Sequence, residues 1–260
     1  MAKKKTNRQL EAQNAAKTLL ANIRFLSPDK PIRSIVLTSS IPDEGKTTTL
    51  VHLANAIASS GKTVLAVECD MRKCDLSTKL GGHAPAGLYS VITNETSLDD
   101  AIVETSIPNL FLLDVEPGIP NPTDVIASDA FQKLVSKLSD KYDFVLYNTP
   151  PVGAFVDAAL LSAHVDGTII VIRMNGPKRD ELAKAYEQLK KSGGNVIGSV
   201  ATFCEERESS YYYYGDYGLS SYGHSNASAA NAEDDRTADG DDELASVPRH
   251  SHKNITGNSR

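Results

Sequence analysis

The chain has 260 residues, 40% of them hydrophobic and 23% charged, with a formal net charge of −6. It can therefore bury a full core, which excludes a fibrous or wholly disordered protein, and at roughly 150 residues per domain it reads as one large domain plus extra sequence. No run of about 18 apolar residues occurs, and the start MAKKKTNRQLEAQ lacks the apolar stretch of a signal peptide, so a soluble, cytoplasmic protein is expected. Cys69, Cys74 and Cys204 show no metal-ligand spacing and fit a reducing compartment.

Charge is divided unevenly. Residues 205–260 hold 11 acidic and 5 basic residues, the whole net of −6, while residues 1–204 carry 22 of each sign. A neutral body lacks the basic excess of a nucleic-acid binder, so no nucleic-acid partner is expected. Lys3, Lys4, Lys5 and Arg8 form the one basic cluster, read as a solvated, frayed terminus or, less simply, as a weak hold on anionic lipid.

Four segments follow in chain order. Within residues 1–30, Leu10, Ala16, Leu19, Leu20 and Ile23 fall at helical spacing over 7–26, and the pattern stops at Ser27-Pro28. Residues 31–204 alternate apolar, β-branched runs at 34–40, 63–68, 109–115, 144–148, 167–173 and 195–203 with helical stretches that include 46–60, 128–141, 155–163 and 178–192. Strands that are apolar throughout and separated by helices predict an α/β fold: a doubly wound, mostly parallel sheet covered on both faces. Residues 205–223 hold six of the ten tyrosines, Tyr211, Tyr212, Tyr213, Tyr214, Tyr217 and Tyr222. Residues 224–260, poor in aliphatic side chains, read as an acidic, disordered tail.

The chemistry begins between the first predicted strand and helix. Ser40-Ile41-Pro42-Asp43-Glu44-Gly45-Lys46-Thr47-Thr48 matches the phosphate-loop pattern G-x-x-x-x-G-K-[ST], with Ser40 in place of the first glycine. A tight loop turns its backbone N–H groups to the phosphates, and the following helix points its positive end at them. Lys46 would meet the terminal phosphates and the Thr47 hydroxyl could ligate Mg²⁺. A second strand, 63–68, ends in Glu68 and Asp70, two apart and expected to leave the carboxyl edge of the sheet on one side, able to hold magnesium-bound water or accept a proton. A third, Phe144–Asn148, ends where a nucleotide hydrolase carries a magnesium-orienting aspartate; here Asn148 stands instead. Losing that charge-assisted bond, worth about 1.5–3 kcal/mol, would slow chemistry roughly 10- to 100-fold. Asp143, at the start of the same strand, is too far away to replace it.

From about Asn14 to Tyr222 the sequence resembles the bacterial tyrosine kinases of capsule and exopolysaccharide synthesis, in their separate cytoplasmic form. SSIPDEGKTTT resembles their Walker A motif, VLAVECDMRK their Walker A′, FVLYNTPPVGAFVDAALL their Walker B and the residues after it, and YYYYGDYG their tyrosine cluster. The resemblance implies ATP and Mg²⁺ as cofactors and autophosphorylation of the tyrosine cluster between neighbouring protomers of a ring. It also implies activation by a membrane-spanning chain-length-determinant partner that recruits the chain to the inner face of the membrane, and a protein tyrosine phosphatase that reverses the modification. On that resemblance Lys46, Glu68, Asp70 and Asn148 are catalytic; Thr47, Asp70 and Asn148 organise Mg²⁺; Ser40, Pro42, Asp43, Glu44, Gly45, Lys46, Thr47 and Thr48 surround the nucleotide. The sequence departs from the family at three places: Glu68 stands for the usual aspartate, Asn148 for the Walker B aspartate, and Asn14-Ala15-Ala16-Lys17-Thr18-Leu19-Leu20 for the charged oligomerisation motif of the N-terminal segment. Two other functions compete, an ATP-binding scaffold that transfers phosphate poorly and a partition-type ATPase switch without a tyrosine substrate.

Overall fold

Strands β1 (Ser34–Ser39) and β2 (Val64–Glu68) are buried at every position, as befits strands covered on both faces. Successive side chains divide between two cores: Ile35, Leu37, Val64, Ala66 and Leu146 face one layer of helices, and Val36, Leu65, Val67, Val145 and Tyr147 face the other. The computed structural model describes residues 2–82 and 84–204, with side chains from Gln9 onward.

The elements run α1 (Ala2–Leu26), β1, α2 (Lys46–Ser59), β2, α3 (Leu76–Leu80), α4 (Leu88–Ile92), α5 (Leu98–Ala101), β3 (Ile102–Glu104), β4 (Leu110–Leu113), α6 (Pro122–Ala127), α7 (Asp129–Lys141), β5 (Phe144–Asn148), α8 (Asp157–Ser162), β6 (Gly167–Arg173), α9 (Arg179–Lys191) and β7 (Val196–Thr202). Seven strands form one sheet in the order β3-β4-β2-β5-β1-β6-β7, parallel except for β3. The six expected strands and five expected helices are all present, β5 and β6 at the expected bounds and the others with ends moved by one to five residues. Strand β3 was not expected: it is three residues long and follows α5 without a break, so no alternation has room to show. Helices α3 to α6, of four to six residues, are likewise too short to carry a helical period.

Helix α1 lies on α2 through Ala16, Leu20 and Ile23, spaced four and three residues apart, each side chain buried in the same core as Ile35 and Leu37. Leu10, expected on that stripe, is 55% exposed. The backbone of Lys3, Lys4, Lys5 and Arg8 continues α1, which corrects the expectation of a frayed terminus. The described residues form one compact unit; the tyrosine cluster and the acidic segment lie outside them. Among the described residues no helix is long and apolar enough to cross a membrane.

Two carboxylates pin the amino edge of the sheet, opposite the phosphate loop. Asp143 accepts from the amide and hydroxyl of Thr63 and from Lys62, so it stands far from Asn148, as its sequence position requires. Asp166 Oδ2 accepts from the amides of Arg33 and Ser34 (3.0 and 2.9 Å) and the Ser34 hydroxyl (2.8 Å), tying the β6 entry to β1. Partial burial opposes ionisation of Asp166, but the bonds from Ser34 and Arg33 outweigh it and hold its pKa below the ordinary value of 3.8. A lowered carboxyl pKa contributes stability above the unfolded value and loses it as pH falls through the folded one. Asp166→Ala is therefore expected to cost about 1.5–3 kcal/mol at neutral pH, read by urea unfolding, and the gap from the native chain should close as the pH falls below about 4.

Candidate active site

The phosphate loop is built around a buried carboxylate. β1 delivers the chain to Ser40, and Glu44, wholly buried, turns its side chain inward: Oε2 accepts from Ser40 Oγ (3.0 Å) and Ile41 N (2.9 Å), and Oε1 from Arg173 N (3.1 Å) at the end of β6. Two left-handed residues, Asp43 (φ 59) and Gly45 (φ 90), close the turn into α2. Gly45 leaves α2 without a side-chain cap, so the first-turn amides are left to an anion. Pro42, Asp43 and Thr48 are exposed at the rim, Asp43 pairing with Lys73 (3.2 Å). Glu44 thus shapes the loop, and its carboxylate is spent on protein groups.

Lys46 is 8% exposed, and among the described residues its ammonium makes no hydrogen bond or ion pair. Burial lowers its pKa, with Asp70 pulling the other way. Thr47 Oγ1 lies 3.0 Å from Asp75 Oδ1 and 3.4 Å from Asn148 Oδ1. Asn148 in turn donates from Nδ2 to Glu68 Oε1 at 2.9 Å, joining the ends of β5 and β2. Asp70 curls back to accept from Arg72 N (3.4 Å) and Lys73 N (3.2 Å); burial raises its pKa, with the charge of Lys46 opposing. Lys46, Thr47, Asp70 and Asn148 are therefore gathered beside the start of α2.

Glu68 differs in placement from the expectation of two carboxylates facing one cleft. It is completely buried, and its oxygens are taken by Asp70 N (2.9 Å), Leu76 N (3.0 Å) and Asn148 Nδ2. Burial raises its pKa to about 8 against the three donors. Asp75, absent from the expected set, reaches Thr47 because α3 starts immediately after it; its sequence signal was a third acid five residues beyond Asp70. Arg72 was missed as well. Its guanidinium pairs with the wholly buried Asp157 at 3.1 Å and stacks 3.9 Å from the Phe155 ring centroid, clamping the β2 turn to α8.

Among the described residues no three His, Cys, Asp or Glu side chains converge as a metal cage. A hydroxyl, an amide oxygen and one or two carboxylates beside a phosphate loop instead fit Mg²⁺, which keeps water and takes phosphate oxygens.

Residues 33–191 match the AAA domain family. Tyrosine-protein kinase YwqD of Bacillus subtilis is 32% identical over 200 residues, covering 76% of this chain and 84% of the relative. The chain belongs to the bacterial tyrosine-protein kinases. Within that family, the crystal structure of the chimerical protein CapA2B2 superposes with a TM-score of 0.70 at 34% identity, over 74% of this chain and 84% of that one. The septum site-determining protein MinD of Pyrococcus horikoshii, complexed with Mg-ADP, shares the fold more distantly, with a TM-score of 0.57 at 26% identity over 65% and 69% of the two chains. The tyrosines Tyr211 to Tyr222, expected as autophosphorylation sites, lie outside the described residues.

The Glu68–Asn148 contact makes the departure from the family pattern testable. Asn148→Asp sets two buried carboxylates against each other, tolerable only while they share a proton. Beside Asn148 the Glu68 pKa is already raised to about 8, and a second anion in place of that donor raises it further, so in the variant the proton is held at pH 6 and is lost only above about pH 8. Thermal unfolding of Asn148→Asp should match the native chain near pH 6 and fall behind by several degrees as the pH rises above about 8.

Proposed function

We propose that the chain is an ATP-dependent protein tyrosine kinase that phosphorylates its own tyrosine cluster and thereby regulates capsular or exopolysaccharide synthesis and export. The observation that carries this reading is the convergence of Lys46, Thr47 and Asp70 at the start of α2 in a chain 32% identical to a tyrosine-protein kinase. The α2 amides and Lys46 would hold the terminal phosphates, and Thr47, Asp75 and Asn148 would hold Mg²⁺. Bound there, Mg²⁺ would neutralise charge that builds on the phosphate oxygens.

The tyrosine Oη attacks the γ-phosphorus as the bond from that phosphorus to the β,γ-bridging oxygen breaks, and the electron pair leaves with ADP. Asp70 receives the phenolic proton: it lies beside Lys46 and its raised pKa suits proton acceptance. Glu68, saturated by protein donors, acts by fixing Asp70 N and Asn148. Phosphoryl transfer asks mainly for positioning and charge stabilisation, which so small a set of groups supplies.

The rest of the reading comes from the family. The chain works in the cytoplasm, recruited to the inner face of the membrane by a membrane-spanning chain-length-determinant partner that activates it. Unphosphorylated protomers form a ring, and each presents Tyr211, Tyr212, Tyr213, Tyr214, Tyr217 and Tyr222 to a neighbour. Each phosphate adds about −1.5 to −2 charges to an already acidic segment, so phosphorylation loosens the ring, and a protein tyrosine phosphatase restores it.

Asn148 favours one alternative, an ATP-binding scaffold of the same machinery, because it lacks the charge that orients the metal. Peptide mass spectrometry after incubation of dephosphorylated protein with Mg²⁺ and ATP, with and without the partner's cytoplasmic segment, separates the two. Phosphate on Tyr211 to Tyr222 that disappears in Lys46→Met is expected. A chain that binds ATP yet stays unmodified with the partner present would be the scaffold. If Asn148 limits the rate, Asn148→Asp should raise phosphorylation about 10- to 100-fold.

A further inference from the structure

The nucleotide reading leaves unexplained a strained aromatic side chain on the other side of the phosphate loop. Phe203, the first residue after β7, has φ 54, a left-handed conformation that bulky side chains avoid. Its ring is not hidden by this effort: the residue is 61% exposed. One face carries the Arg173 guanidinium, 4.5 Å from the ring centroid. Its edge meets the loop, since a Cβ on Gly45 would lie 3.7 Å from Phe203 Cε2.

The strand ends that carry the pair are fastened to the phosphate loop at two points and to each other at a third. Arg173 N donates to the Glu44 carboxylate (3.1 Å), Thr202 Oγ1 donates to Glu44 O (2.7 Å), and Met174 N donates to Thr202 O (3.0 Å). The ends of β6 and β7 therefore keep a fixed distance from the first turn of α2. The sheet order supplies the direction. β1 lies between β5 and β6, with the charged groups Asp70 and Asp75 and the amide Asn148 all on the β5–β2 side. A nucleotide whose terminal phosphate faces those groups must leave the loop, from its α-phosphate, towards β6 and β7.

We infer that Phe203, backed by Arg173, is the platform on which the nucleobase stacks, and that it supplies the chain's preference for a nucleotide over bare polyphosphate. The inference rests on the phosphate loop holding a nucleotide. An open aromatic face polarised by a cation beneath it suits a flat heteroaromatic ring, and stacking of this kind is worth about 5- to 100-fold in affinity per base. Strain at an exposed aromatic residue is accounted for by the direction it gives the ring, over the loop rather than away from it.

Calorimetric titration of the native chain, Phe203→Ala and Phe203→Trp with ADP and with tripolyphosphate, both in excess Mg²⁺, tests this. Phe203→Ala should weaken ADP about 5- to 100-fold, Phe203→Trp should hold it within about threefold of native, and tripolyphosphate should bind all three alike. Unchanged ADP affinity in Phe203→Ala overturns the platform. A parallel loss of ADP and tripolyphosphate also overturns it, because the ring would then only shape the loop. A native chain that binds tripolyphosphate and not ADP defeats the platform alone, whereas one that binds neither defeats the nucleotide site with it.

Discussion

Everything at the carboxyl edge of this sheet is located by the buried carboxylate of Glu44. A carboxyl group with no exposure to water is costly unless partners surround it, and here Ser40 Oγ, Ile41 N and Arg173 N converge on it from β1's end and from β6. The arrangement joins residues 129 apart in sequence and leaves the loop one shape. Gly153 completes the enclosure, because a Cβ there would lie 2.2 Å from the Ser40 carbonyl oxygen. The loop is thus gripped from the β5 side by backbone and from the β6 side by a hydrogen-bonded charge.

On that fixed loop the edge divides by charge. Towards β5 and β2, Asp70 and Asp75 face a half-starved ammonium: Lys46 is lowered by burial even with Asp70 beside it, and Asp70 is raised by burial even with Lys46 beside it. Burial is the first cause of both shifts, so both mark a pocket short of water, in which phosphate and a divalent cation would each meet a group of opposite charge. Glu68 and Asn148 fit the same economy of charge. Since Glu68 is buried and already crowded against Asp70, a neutral partner at 148 supplies a hydrogen bond without adding another anion. Towards β6 and β7 the character changes to an arginine and an open aromatic ring.

The sequence made the parts with local signatures legible. Apolar runs such as Ile35-Val36-Leu37 gave the strands, and the Gly45-Lys46-Thr47 string between strand and helix gave the phosphate loop with its orientation. β3 and α3 to α6 were not legible, since neither period repeats within them. In the site, the residues that escaped notice are those whose roles depend on distant partners. Arg72 has meaning only through Asp157, 85 residues on, and Phe203 only through Arg173 and Gly45. Glu44 and Glu68 were recognised as site residues while the direction of their side chains was not, because burial turned each towards amide donors and away from the cleft.

The central claim is that one phosphate loop separates a metal-binding, reacting side from a base-binding side. A crystal structure of the chain with Mg²⁺ and a non-hydrolysable ATP analogue tests it directly. The account expects the γ-phosphate between Lys46 and Asp70, the cation at Thr47 and the base against Phe203. A base lying over β2 or β4, with the terminal phosphate turned towards Arg173, would contradict it.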